Sequence, residues 1–157
     1  IGMETTMPLN YPQAGPSDVP SYQMSAIPFV TSSVQGEVGG TPLLLRFPSV
    51  TRFMVVTNFS GHVMRIGFTS NGISGSGGVS GSKGESTADR SNYFILSGNQ
   101  STPRMEIRCK EMFFMRDTSK DTGGSGDCAF SVFAGLTPVA YQQFPTLTGS
   151  NGYDGVG

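Results

Sequence analysis

The hydrophobic pattern of residues 104–116 (RMEIRCKEMFFMR) changes half-way along the segment. Up to Lys110, charged and apolar side chains alternate strictly. A period of two is typical of a strand that packs one face on a core and turns the other to water. From Met112 to Met115 the side chains are apolar on both faces. We expect that half to be buried on both sides, under a second sheet or against another subunit, and the change near Glu111 indicates a bulge or a corner.

Short β-prone segments also follow one another along the rest of the chain. The predicted strands are 23–30, 43–47, 51–57, 62–68, 92–97 and 128–134, together with 104–116, which forms one bent strand or two. Residues 58–61 (NFSG) predict a tight hairpin-type turn. No segment keeps a helical period over three turns, so helices are expected to be short or absent. The spacing predicts an all-β antiparallel sandwich of about eight strands, and the long polar loops favour Greek-key or jelly-roll connections.

A shared period-two phase places a set of apolar side chains in one core between the sheets. These residues are Phe53, Val55, Ile66, Phe68, Met105, Ile107, Phe130 and Val132. We therefore expect all of them to be largely buried.

The segments outside these strands divide the chain into three parts. Residues 1–21 have a proline at every fourth position from Pro8 to Pro20, which forbids a helix and predicts an extended N-terminal arm. That arm is either a disordered tail or a segment that orders against a neighbouring subunit. Residues 22–140 form the predicted domain, and 141–157 a C-terminal tail. Within the domain, Gly and Ser dominate residues 70–91, which predicts a flexible exposed loop.

Composition and charge reduce the number of functions that are expected of this chain. The 157 residues suffice for one domain with a real core, and charged residues make up only 13%, about half the usual share. The net charge is −1 and no basic run occurs, so direct nucleic-acid binding is not expected. No segment reaches the roughly 18 apolar residues that a membrane span needs. The first residues also lack the pattern of a secretory signal.

Catalytic and metal-binding patterns are sought and not found. His62 is the only histidine, too few for a metal centre on a jelly roll, and we expect it to face solvent at the start of a strand. Asp121-Thr122-Gly123 matches the aspartic-protease triplet but lies among turn residues. The Gly-rich loop around Lys83 lacks the Gly-Lys-Ser/Thr ending of a phosphate-binding loop. We predict no enzyme activity, no cofactor, and no catalytic, cofactor-binding or metal-binding residue.

The two cysteines and the two glycosylation sequons can each be interpreted in two ways. Cys109 and Cys128 both fall at apolar phases of predicted strands, which favours two buried thiols over a disulfide. The sequons begin at Asn58 and Asn99, and chance explains them in a chain without a recognisable secretory signal.

The ordered landmarks of the chain resemble a known family. They are TPLLLRFPSVTRFMVVTN (41–58), MRIGFTSNG (64–72), NYFIL (92–96), RMEIRCKEMFF (104–114) and FSVFAGLTPV (130–139). Together they resemble the single jelly-roll penton protein of the nucleocytoplasmic large DNA viruses. The resemblance covers about residues 40–140 and is a pattern of strands and turns rather than a catalytic signature.

The resemblance implies a single jelly-roll fold and a structural role. It implies a capsid protein that forms a homopentamer at each five-fold vertex of an icosahedral virion, assembled in the cytoplasm of the infected host cell. The neighbours would be the major capsid protein and minor capsid or cement proteins.

Two other classes of protein compete with this interpretation. A glycan- or receptor-binding β-sandwich module would present a cluster of exposed aromatic residues on one rim. Tyr93, Tyr141 and Tyr153 are the candidates for that cluster. A hydrolase would need a convergent nucleophile and base that the sequence does not offer.

Overall fold

The computed structural model describes residues 25–74, 92–117 and 127–147, together with Pro16 and Val156. These residues form eight strands. The strands are β1 (Ile27–Ser32), β2 (Leu43–Arg46), β3 (Ser49–Asn58), β4 (Met64–Gly67), β5 (Phe94–Leu96), β6 (Gln100–Ser101), β7 (Glu111–Arg116) and β8 (Phe130–Ala140). A five-residue helix, α1 (Ser70–Ser74), follows β4, and a 3₁₀ helix (Tyr141–Gln143) follows β8.

The strands build two four-stranded antiparallel sheets that pack face to face. Sheet 1 has the order β1-β8-β3-β6, and sheet 2 has the order β2-β7-β4-β5. The first strand pairs with the last, the second with the seventh, the third with the sixth and the fourth with the fifth. The predicted all-β antiparallel sandwich is therefore confirmed.

One core lies between the sheets and takes side chains from both. Its buried members include Met54, Val56, Val132 and Ala134 from sheet 1, and Met64, Ile66, Met112 and Phe114 from sheet 2. Phe114 of β7 stacks on Phe130 of β8 with ring centroids 4.1 Å apart, so the two sheets are in direct contact. Burial of these large apolar side chains away from water supplies most of the favourable free energy of folding.

The predicted core is only partly correct. Ile66, Phe130 and Val132 are buried, and Phe68, Met105 and Ile107 are half-buried against the core. The prediction is wrong for Phe53 and Val55, which face away from sheet 2.

The cause of that error is an irregularity in β3. The register of β3 against β8 shifts between Ser49 and Thr51 and again between Thr51 and Phe53. Val50 and Thr51 are both buried, although they are consecutive. A one-residue slip in a strand exchanges its two faces, and so Met54 and Val56 point inward in place of their neighbours.

The segment 104–116 is not one continuous strand. Regular pairing begins at Glu111, and residues 104–110 contribute one isolated bridge, between Met54 and Met105. Backbone hydrogen bonds from Met105 to Met54 and from Thr51 to Cys109 hold this segment beside β3 as it crosses from sheet 1 to sheet 2. The prediction of strand structure over 104–110 is therefore wrong, whereas the predicted change near Glu111 coincides with the start of β7.

Burial along this segment follows the sequence pattern only in part. Its alternation holds at Cys109, which is buried, and at Arg108, which is exposed. In β7, however, only Met112 and Phe114 are buried. Phe113 and Met115 are half-buried, which corrects the prediction of full burial on both faces.

The turn at residues 58–61 is not a hairpin. It joins β3 of sheet 1 to β4 of sheet 2, and these two strands do not pair with each other. The side chain of Asn58 closes the turn by accepting hydrogen bonds from the backbone and the hydroxyl of Ser60. The prediction was wrong because a turn sequence reports a reversal of the chain but not which sheet receives the next strand.

The start of the predicted flexible loop is helical. Thr69 caps α1, because its Oγ1 accepts a hydrogen bond from the Gly72 backbone N–H at 3.0 Å. Ile73 is fully buried, and α1 packs against β4 and β7 of sheet 2. Residues 75–91 lie outside the described part of the chain. The antiparallel pairing of β4 with β5 shows that the predicted loop connects neighbouring strands.

Several strand limits differ from those predicted. Strand β1 spans Ile27–Ser32, whereas the predicted strand is 23–30, of which Gln23 lies outside the described residues. The two-residue strand β6 was not predicted. Strand β8 continues to Ala140, and the chain then packs back on the sandwich through Phe144, which joins Val50 and Val139 in a small second cluster. The first residues of the predicted tail therefore belong to the packed structure.

Candidate interaction surface

The outer face of sheet 1 carries an apolar patch, formed by the exposed residues Pro28, Val30 and Phe133 and the half-buried residues Phe53 and Val55. Val30 of β1, Phe133 of β8 and Val55 of β3 are directly opposite one another in the register. Val30 is 72% exposed and Phe133 48% exposed. Helix α1 packs on sheet 2, so it does not cover this face. Contiguous exposed apolar surface makes this face of sheet 1 a candidate interaction surface.

The rings in the apolar patch are held in a defined arrangement. Phe53 and Phe133 pack edge to face with centroids 5.7 Å apart. Phe53 lies over Gly135, where an added Cβ would come within 2.3 Å of Cε1 of the ring. The Arg104 guanidinium lies 4.2 Å from the centroid of Phe53. Glycine at 135 thus makes room for a preorganised aromatic surface.

Polar side chains border the apolar patch on two sides. One row beyond Val55, the hydroxyls of Ser32 and Ser131 lie 2.9 Å apart, and those of Thr57 and Ser101 lie 2.6 Å apart. On the other side, Arg104 forms an ion pair with Glu106 at 3.1 Å. An apolar centre with a polar rim is the usual anatomy of a protein–protein interface.

Among the described residues, the titratable side chains His62, Cys109 and Cys128 do not come together in a catalytic site. His62 is half-buried in the connection before β4, which corrects the expectation of a solvent-facing strand residue. Cys109 and Cys128 are both buried thiols and are not joined in a disulfide, as predicted. Burial raises the pKa of the Cys109 thiol to about 12, although the hydrogen bond with Thr51 opposes this rise. A thiol with such a pKa is a poor nucleophile at neutral pH.

No metal site occurs among the described residues. Within 25–74, 92–117 and 127–147, no group of three His, Cys, Asp or Glu side chains is placed to hold a metal ion. Asp121-Thr122-Gly123 and Lys83 lie outside the described part of the chain.

The two sequon asparagines have different environments. Asn58 is fully buried, and its Nδ2 donates to the backbone oxygens of His62 at 2.7 Å and Leu96 at 3.1 Å. A glycan on that nitrogen would break this network, so the folded chain cannot carry one at Asn58. Asn99 is exposed and has a φ of 56°. Left-handed backbone of this kind is tolerated by asparagine.

The candidate aromatic residues do not form one rim. Tyr93 packs on Arg65 of β4, with 4.4 Å between the guanidinium carbon and the ring centroid. Tyr141 packs on Arg46 of β2, at 4.9 Å. Strands β2 and β5, which flank these contacts, are the opposite edges of sheet 2. Tyr153 lies outside the described residues.

Sequence reasoning missed the apolar patch, although a signal was present. The shared inward phase predicted for Phe130 and Val132 of β8 is correct. A large aromatic residue at 133, in the opposite phase, therefore had to lie on the outer face. The pattern showed which side chains point inward, but not that the outward Phe133 remains 48% exposed.

None of the helices in the described part of the chain is long and apolar enough to span a bilayer. Comparisons with known protein families, with curated proteins and with solved structures find no match to this chain.

Proposed function

We propose that this chain is a structural capsid protein, a single jelly-roll subunit that forms the pentameric capsomer at the five-fold vertices of a large icosahedral DNA virus. The observation that carries the proposal is the apolar patch on the outer face of sheet 1. A sandwich that leaves Val30 and Phe133 exposed is suited to association with another protein surface.

The strand order supports the jelly-roll part of the proposal. The first strand pairs with the last, and the pairing continues towards the middle of the chain until β4 pairs with β5. An antiparallel ribbon that wraps around a barrel has this pattern of pairs. Two four-stranded sheets in this order are the arrangement expected of a jelly roll. The sequence resemblance over about residues 40–140 points to the same fold.

The partner of the apolar patch is proposed to be a second copy of this chain. A ring of five uses one heterologous contact repeated around the axis, so the patch meets a different surface of the next subunit. A stable contact of this kind buries roughly 800 Å² on each partner. The major capsid protein and minor capsid or cement proteins would surround the homopentamer in the virion.

The copy number in purified particles tests this function. We expect five copies at each vertex, and far fewer copies than of the major capsid protein. Absence of the chain from purified particles, or its location at quasi-six-fold positions, would rule out the penton function.

A charge placed in the apolar patch tests the interface. We expect Val30→Glu to weaken self-association at least tenfold in analytical ultracentrifugation, because a carboxylate would be buried without a partner. Val34→Glu is a matched control, since Val34 is also exposed, at 70%, but lies outside the patch. Equal association of both variants and the unmodified chain would place the interface elsewhere.

A further inference from the structure

A cleft beside β2 has no role in the proposed capsid contact. Its lining residues are Arg46, Phe47, Pro48, Tyr141 and Gln142, and its volume is about 500 Å³. Small-molecule sites usually measure roughly 300–1,000 Å³ and combine apolar walls with a few polar groups. The cleft adjoins sheet 2, whereas the apolar patch belongs to sheet 1.

Tyr141 is held rigidly at the wall of this cleft. Its hydroxyl donates a hydrogen bond of 2.9 Å to Oε2 of Glu111, whose side chain is only 17% exposed. The ammonium of Lys110 lies 4.5 Å from the ring centroid and donates to the backbone oxygen of Phe144 at 2.9 Å. A ring fixed in this way also positions Arg46, whose guanidinium carbon lies 4.9 Å from its centroid, so less conformational entropy is lost when an anion pairs with Arg46.

Arg46 supplies the accessible positive charge of the cleft. Its side chain is 60% exposed, and its Nε lies 3.9 Å from Oε2 of Glu111, too far for a hydrogen bond. Arg46 and Lys110 together outweigh the single carboxylate of Glu111. The guanidinium is therefore placed to donate to an anion from outside, in the bidentate geometry that carboxylates accept.

We propose that this cleft binds a carboxylate carried on a sugar ring, the chemistry of a uronic or sialic acid. The carboxylate pairs with the Arg46 guanidinium. The apolar face of the sugar ring packs against Pro48 beside the stacked pair of Arg46 and Tyr141, and the Gln142 amide is available to the ring hydroxyls. This ligand site is additional to the capsid function and does not depend on it.

Ligand-observed NMR on the whole chain tests the site, with glucuronic acid and N-acetylneuraminic acid as probes. We expect at least one acidic sugar to bind with a Kd in the millimolar range. Glucose, which has the ring without the charge, and acetate, which has the charge without the ring, should each bind at least tenfold more weakly. Sialyllactose would then show whether a sugar linked in a glycan is accepted as well as a free one.

Arginine variants locate the binding. We expect Arg46→Gln to weaken binding of the acidic sugar at least tenfold and Arg104→Gln to leave it unchanged. Arg104 is a matched control, because it also stacks on an aromatic ring, Phe53, but on the other sheet. No binding of either acidic sugar, acetate as strong as the sugars, or an unchanged affinity in Arg46→Gln would overturn the proposal.

Discussion

The side chain of Asn58 joins the two sheets. It ends β3 of sheet 1, and its amide nitrogen donates to the backbone oxygens of Leu96 and Ser97 at the end of β5 in sheet 2. Its oxygen accepts hydrogen bonds from the backbone and the hydroxyl of Ser60. A buried network in which both ends of an amide are used fixes one geometry and tolerates no exchange of donor for acceptor.

We therefore expect Asn58→Asp to lower the free energy of unfolding by about 2–4 kcal/mol in urea titrations. The new carboxylate would face carbonyl oxygens in a buried site, without the donor that the amide provides. Asn99→Asp is the control, because Asn99 is exposed and aspartate also tolerates a φ of 56°. Similar losses in the two variants would show that the network contributes little.

Cys109 predicts a dependence of stability on alkaline pH. Burial raises its thiol pKa from 9.0 to about 12, so the unfolded chain releases this proton at a lower pH than the folded chain. The contribution of the neutral thiol is complete below about pH 9 and is lost as the pH rises towards 12. We expect the unfolding free energy of the unmodified chain to fall more steeply above pH 9 than that of Cys109→Ser. The difference should approach about 1.4 kcal/mol per pH unit.

The comparison of the two chains isolates this thiol. Burial and the hydrogen bond with Glu111 also raise the pKa of Tyr141, but that residue is present in both. Parallel pH profiles between 9 and 11 would therefore mean that the Cys109 thiol titrates normally.

At the scale of elements, the sequence predicted best where a strand is regular. The predicted strand 43–47 and β2 (Leu43–Arg46) nearly coincide, because a short apolar run lies there between two prolines, Pro42 and Pro48. The bulged part of β3 was missed, since a register shift depends on the neighbouring strand and not on the local pattern. Helix α1 was missed because a Gly- and Ser-rich composition concealed the Thr69 cap and the single buried anchor, Ile73.

Substitution of Gly135 in β8 tests how closely β8 packs against its neighbours β1 and β3. An added Cβ would lie 2.3 Å from Cε1 of Phe53 and 2.5 Å from Cβ of Ala26, so one of them must move. We expect Gly135→Ala to cost about 1–3 kcal/mol of unfolding free energy in thermal or urea unfolding. Gly61→Ala is the control, because an added Cβ there meets nothing within 4 Å. A loss in Gly135→Ala no larger than in the control would mean that Phe53 is loosely held.

At the scale of the whole molecule, the sequence predicted the sandwich but not the apolar patch on the outer face of sheet 1. Periodicity of two predicts how each strand divides its side chains between two faces. It does not say which face a second sheet covers, and so Phe133 became visible as a surface residue only in the assembled sheets. The cleft beside β2 could not be predicted from the sequence either, because Arg46 and Tyr141, which line it, are far apart in the chain.

A single core shared by both sheets predicts cooperative unfolding of the whole domain. Ile66 of sheet 2 and Val132 of sheet 1 belong to the same buried cluster, at 0% and 1% exposure. Ile66→Ala should cost about 2–4 kcal/mol, and Val132→Ala somewhat less, because each leaves a cavity between the sheets. Differential scanning calorimetry should show one transition in the unmodified chain, and each variant should move that whole transition to a lower temperature. If the sheets were independent units, two transitions would appear, and each substitution would shift only one of them.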